Sequence, residues 1–203
     1  LKKKLCRKKT TKRRRNQLER LGNLEFFARL DQDELPQARE LFIKLHRERR
    51  RAAGDESFLE EENGQQFLEA ILQGPTQHSA KLSALRLDGQ DIALCLGLEV
   101  HGRYSYYAPT FDDEWSKYAA GDVLLSFILE DAIDRGIEVF DFGLGDEPYK
   151  ARFASETREV FKIHLFGSGV TPRLKRAALS LRESAKRKPR LYGAMKKVLN
   201  RNS

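Results

Sequence analysis

The sequence predicts a mixed α/β (α+β) fold: one mixed sheet of six to seven strands with helices on both faces, and a basic helix at each end. Three observations carry this reading. Apolar residues repeat at helical spacing in some stretches and alternate in others. The stretches follow the order β-α-α-β-β-β-α-β-α-β, and the hairpin meander in its middle breaks the strict alternation of a doubly wound nucleotide fold. Finally, 203 residues with 40% hydrophobic content suffice for one domain with a core plus appendages.

Arg7 to Leu21 carries helix formers without a breaker and stops at Gly22, a C-cap. Asn23 to Leu30 is an apolar run of strand length. Asp33 and Pro36 open a helix with Leu35, Ala38, Leu41, Phe42 and Leu45 on one face. Glu40, Arg47, Glu48 and Arg49 mark its other face, to which His46 is also assigned, and it ends before Gly54. An acidic loop leads to a second helix, Gln65 to Leu72, closed by Gly74-Pro75. The period then drops to two. Ser79 to Leu87, a turn at Asp88-Gly89 or Gly89-Gln90, Ile92 to His101 and Arg103 to Ala108 make a three-stranded meander. Asp112 or Asp113 caps a short turn through Trp115 and Tyr118, and a longer helix runs from Gly121 to Gly136. The strand Ile137 to Phe142, a short helix around Pro148 to Ala154 and a last strand from Val160 to Phe166 complete the domain.

The net charge of +8 conceals an asymmetry: residues 1–20 and 173–203 each carry +10, and the segment between them −12. Basic ends of this kind suit RNA, an anionic membrane surface, or docking on the acidic body itself. In the C-terminal segment Leu174, Ala177, Ala178, Leu181 and Ala185 recur near helical spacing among Lys and Arg, the pattern of a basic amphipathic helix. No apolar run approaches the ~20 residues of a membrane-spanning helix. Cys6 and Cys95 show neither metal nor CxxC spacing, which fits a cytoplasmic, at most membrane-peripheral, setting. The four histidines lack ligand spacing, so no metal is expected, and the GxSxG of a serine triad is absent.

The residues from Tyr106 to Phe153 narrow the reading. They contain Tyr118-x-x-Gly121 ahead of the central helix, a strand reading Phe140-Asp141-Phe142-Gly143, and the turn Tyr149-Lys150-Ala151-Arg152-Phe153. With the element order, over roughly residues 23–167, they resemble the CelD-like and FemAB-like branch of the GCN5-related N-acetyltransferase (GNAT) superfamily. The resemblance implies transfer of an acyl group, acetyl by preference, from acyl-CoA (acetyl-CoA) to an amine or hydroxyl acceptor. CelD-like members are associated with exopolysaccharide or cellulose production, and Fem-type members use aminoacyl-tRNA. It further implies a basic connector at 1–22, an acyltransferase domain at 23–167 and a basic extension at 168–203, the connector following a tandem first domain.

In that superfamily the pyrophosphate of acyl-CoA lies at the start of the central helix. Here that corner is Tyr118, Gly121, Asp122, Val123 and Leu124, and unpaired helix-start amides make it an anion site on physical grounds too. It departs from the usual Gln/Arg-x-x-Gly-x-Gly/Ala. Tyr118 opens it, Val123 stands where a small residue is expected, and Asp122 brings a carboxylate to where phosphate would lie. Asp122 equally reads as an ordinary helix-start cap. Gly143 and Gly145 permit positive φ and close approach of a ligand, or simply make the turn. Lys150 is the candidate oxyanion stabiliser, or an ordinary surface lysine, and Arg152 a second cation toward substrate. Tyr149 is a candidate acid toward a leaving thiolate or a packing residue; Asp141 is a candidate base or an ion-pair partner of Lys150 or Arg152. Tyr104, Tyr106 and Trp115 line an acceptor groove or belong to the core. The expected function is an acyltransferase acting on a small-molecule, glycan or peptide acceptor. The alternatives are an aminoacyl-tRNA-dependent transferase and a non-catalytic GNAT-like scaffold on a membrane or partner.

Overall fold

The computed structural model describes residues 9–73, 79–145, 147–161 and positions 163, 176, 177 and 180. The chain divides into two compact units, Leu1–Thr157 and Arg158–Ser203. The first contains α1 (Lys9–Glu19), β1 (Leu24–Phe27), α2 (Leu35–Ala52), α3 (Glu62–Gln73), β2 (Ala80–Leu87), β3 (Gln90–Val100) and β4 (Arg103–Phe111). A 3-10 turn (Asp113–Tyr118), α4 (Ala120–Asp134), β5 (Val139–Asp141) and a second 3-10 turn (Lys150–Arg152) follow.

Five strands lie side by side in chain order, β1 to β4 antiparallel and β5 parallel to β4. The mixed sheet is thus present with five strands among the described residues, where six to seven are expected. Val160, Phe161 and Ile163 of the expected last strand are exposed and belong to no strand; the rest of that run lies outside the described residues. Of the C-terminal helix, Arg176, Ala177 and Ser180 are described, and they are helical. The helix expected at Pro148 to Ala154 is a single 3-10 turn, because so short a segment forms too few bonds to offset nucleation.

Both meander turns place two consecutive residues at positive φ, Asp88-Gly89 at 47° and 83° and His101-Gly102 at 47° and 72°. This is the primed-turn conformation that follows strand twist. Alternation sends Leu85, Cys95, Tyr104 and Tyr106 to one face of the sheet, against Leu18 of α1 and Val123, Leu124 and Ile128 of α4. Leu82, Leu94, Leu96 and Ala108 point to the other, against Phe42 of α2 and Leu68 and Leu72 of α3. In β4 the phase reverses once. Gly97 pairs with Tyr106 and Leu96 with Ala108, so Tyr107 is an extra residue, a bulge. Tyr104 and Tyr106 therefore face α4 before the bulge, and Phe111 does so after it.

Two residues stand elsewhere than their neighbours suggest. His46 is buried between Phe42 and Phe58 and shares a 2.7 Å hydrogen bond with Ser57 Oγ. Burial, then the charges of Arg50 and Arg49, push its pKa down to about 4. Arg15 of the basic α1 lies 4.0 Å over the Phe127 ring and pairs with Glu130 at 3.4 Å, while Leu18 is fully buried. α1 is docked on the acidic body as part of the first unit.

Candidate active site

β5 accompanies β4 for three residues only, Arg103 to Ser105 paired with Val139 to Asp141. β4 continues to Phe111. Beyond Ser105 the β5-side edge of β4 has no strand beside it among the described residues, so backbone groups there are open to a ligand. The bulge at Tyr107 falls where the strands part. The floor under this opening is aromatic: Phe140 stacks on Tyr104 at 5.1 Å and lies 6.1 Å from Tyr106, and Phe142 meets Tyr106 at 6.2 Å. Tyr104 and Tyr106 are only 1% and 4% exposed, and burial pushes both phenols far above their usual range. They are core, not an acceptor groove, because their face of the sheet is covered by α4. Trp115 is half-buried against Tyr118, 5.8 Å between rings, and its Nε1 is buried without a hydrogen-bond partner among the described residues.

The start of α4 lies at the end of β4. Ala119 caps it in the left-handed region, φ 55°. The amides of Asp122 and Val123 close back on its carbonyl at 3.0 and 3.1 Å, leaving those of Ala120 and Gly121 without an intrahelical acceptor. A Cβ on Gly121 would stand 2.8 Å from Cδ1 of Phe111, so only glycine lets the helix start approach this ring. Val123 and Leu124 are fully buried side chains and offer the corner backbone alone. Asp122 is held by two guanidinium groups, Arg14 of α1 and Arg152 at 3.0 Å.

The loop after β5 uses its ionisable groups on itself. Gly143 and Gly145 adopt φ of 71° and 105°. Asp141 accepts from the Gly143 amide at 2.8 Å and pairs with Arg103 at 3.3 Å, instead of with Lys150 or Arg152. Lys150 is 8% exposed; its Nζ donates to the Leu144 carbonyl at 2.6 Å and pairs with Glu147 at 2.7 Å. This hydrogen bond holds the Glu147 carboxyl below its usual pKa. Tyr149 is half-buried, and burial followed by the Glu147 charge pushes its phenol up to about 12.

The family model of the acetyltransferase (GNAT) domain matches residues 6–151 of the chain. The chain belongs to that family. GNAT acetyltransferases take acetyl-CoA as donor, and the described residues of this GNAT domain contain no cluster of His, Cys, Asp or Glu able to hold a metal. None of its described helices is long and apolar enough to cross a membrane. No curated protein matches it significantly in sequence. Among solved structures, a "possible acetyltransferase" from Clostridium difficile 630 is similar at 11% identity, covering 71% of this chain and 99% of its own, with TM-score 0.54. A transcriptional regulator from Bacillus halodurans C-125 shares 12% identity, covering 70% and 100%, TM-score 0.46. An aminoglycoside acetyltransferase from an uncultured soil metagenomic sample, in complex with sisomicin, shares 19%, covering 72% and 97%, TM-score 0.46. The first likeness speaks to fold alone.

One residue of this GNAT domain escaped sequence reasoning. Arg49, assigned to the charged face of α2, lays its guanidinium 4.0 Å over the Phe111 ring. It makes no ion pair among the described residues, whereas Arg47, Arg50 and Arg51 reach Glu60, Asp55 and Glu60 at 3.5, 3.8 and 3.7 Å. Because Phe111 abuts Gly121, an unpaired cation stands beside the helix start. No local spacing signals this, since 62 and more positions separate Arg49 from both.

Proposed function

We propose that this GNAT domain transfers an acetyl group from acetyl-CoA to an amine acceptor. The observation that carries the proposal is the open edge of β4 leading to the first turn of α4, where unpaired amides meet a net excess of guanidinium groups. The amides of Ala120 and Gly121, with Arg14, Arg152 and Arg49 close by, suit the donor's phosphates. The free backbone edge of β4 suits its amide-rich arm. Acetyl-CoA would supply the thioester carbonyl: the amine nitrogen bonds to its carbon, the C–S bond breaks, and CoA leaves as a thiolate that takes a proton from water.

The chain's own part is to bind and align. Asp141 and Glu147 are ion-paired and face solvent, so neither is a poised base, and the amine delivers its proton to water. Tyr149 keeps its proton at neutral pH and serves as a hydrogen-bond donor. Alignment of donor and acceptor supplies most of the acceleration. The FDFG strand and the Tyr-Lys-x-Arg-Phe turn support a CelD-like or FemAB-like acceptor, an amine or hydroxyl on a glycan or peptide precursor of exopolysaccharide or envelope. Lys9, Lys12 and Arg13, exposed on α1, and Arg20 just after it favour a second reading in which the donor is aminoacyl-tRNA. The free, buried Cys95 accords with a cytoplasmic setting.

The test is release of free CoA thiol from acetyl-CoA across a panel of amines, with a hydroxyl panel and aminoacyl-tRNA alongside. Amine-dependent thiol release is expected. Release with hydroxyls alone, or acyl transfer from aminoacyl-tRNA alone, would overturn the amine reading.

A further inference from the structure

We infer that Arg14 on α1 is a positioning residue for donor binding, acting by neutralising Asp122 at the mouth of the phosphate corner; this rests on the acetyl-CoA reading above. Asp122 is what sets this corner apart. As the third residue of α4 it carries a full negative charge beside the amides that would receive phosphate. Left unpaired, it would repel every anion the helix start attracts.

The structure shows how that repulsion is removed. A single carboxylate oxygen, Oδ2, receives Nη1 of Arg14 and Nη2 of Arg152, and the Asp122 side chain is only 21% exposed. Arg14 comes from 108 positions away, and its helix is anchored independently of the pair by buried Leu18 and by Arg15 on Phe127 and Glu130. The three side chains together carry one positive charge. Without Arg14, the Asp122 carboxylate is matched by Arg152 alone, and the attraction for phosphate falls to that of the helix-start amides and Arg49. α1, which reads as a mere connector, thus completes the site.

The full chain is titrated with CoA and with pantetheine, which lacks the phosphates, in five forms: wild type, Arg14→Gln, Arg14→Lys, Asp122→Asn and the double variant Arg14→Gln/Asp122→Asn. Arg14→Gln is expected to weaken CoA binding roughly 10- to 100-fold, the effect of one charge a few ångströms from phosphate in a partly buried site. Pantetheine affinity stays unchanged, and Arg14→Lys restores most of the loss. The double variant returns to within about threefold of wild type, because coupled residues are not additive and no carboxylate remains to neutralise. Unchanged CoA affinity in Arg14→Gln overturns the inference. So does an equal loss in the Asp122→Asn background, since Arg14 would then act by another route. Should Arg14→Gln not fold, Asp122→Asn alone decides: it should bind CoA at least as tightly as wild type, and weaker binding by the folded variant refutes the inference. A wild-type chain that does not bind CoA sinks the acetyl-CoA reading as well. Wild-type binding with indifferent variants sinks only the role of Arg14.

Discussion

Replacing Lys150 by Met separates a structural lysine from a catalytic one. The ammonium makes two contacts, to the Leu144 carbonyl at 2.6 Å and to Glu147 at 2.7 Å, both within its own loop. A charged donor on a carbonyl contributes about 1.5–3 kcal/mol, and the lower end applies here because the bond is only part-buried. Glu147 is 53% exposed, so the pair with it adds at most about 0.5 kcal/mol. Methionine retains most of the packing of the aliphatic stem. The expected loss is therefore about 2 kcal/mol, which for a unit of this size lowers Tm by about 4–8 °C. Thermal unfolding followed by circular dichroism measures it, and steady-state acetyl transfer measured in parallel should show KM for acetyl-CoA rising as the loop loosens. An unchanged Tm with a large fall in kcat alone would refute the clamp and return Lys150 to the reacting atoms.

Other outcomes follow from the same packing and charges. Gly97→Ala would place a Cβ 2.0 Å from the Tyr104 hydroxyl and should cost about 1–3 kcal/mol in a urea titration, with Tyr104→Phe recovering part; an unperturbed midpoint would contradict the close contact. His46, with a folded pKa of about 4 against about 6.5 unfolded, binds fewer protons in the native state between those values. Its contribution is full above pH 6.5 and is lost as pH falls toward 4, by roughly 3 kcal/mol, and His46→Phe should flatten that slope; an equal slope in the variant would assign it elsewhere. Glu147, held low by Lys150, acts on the acid side: its contribution is present above the unfolded value near 4.5 and disappears as pH drops through the lower folded one. Arg49→Gln should weaken acetyl-CoA binding roughly 3- to 10-fold at unchanged Tm, and wild-type affinity in that variant would remove Arg49 from the site.

The meander, the helical faces of α2 and α4 and the Asp112 cap are legible in the sequence because each is written in local spacing. Asp112 does accept from the Glu114 amide at 3.0 Å, and Gly143 and Gly145 do take positive φ. The bulge at Tyr107 is hidden because β4 is covered on both faces. Tyr104, Tyr106, Ala108 and Thr110 are all buried, so the even positions look like one continuous face although the bulge turns the last two over. His46 misleads because its neighbours are charged while the loop at Ser57 closes over it. Asp122 reads as an obstacle to phosphate because its partners, Arg14 and Arg152, lie 108 and 30 positions away. Pairings of that range leave no periodic trace. Glu147 and Lys150, three apart, are within reach of local reasoning, which assigns the lysine to the cleft; the structure shows its ammonium bonded within its own loop.

In the acetyl-CoA reading proposed above, the donor lies along β4 and against the first turn of α4. Hydrogen–deuterium exchange of the full chain, with and without saturating acetyl-CoA, tests it most directly. Slower exchange is expected in peptides covering residues 106–111 and 118–124, with β1 and α3 unchanged. Protection confined to other segments, or none at a concentration where binding is complete, would contradict it.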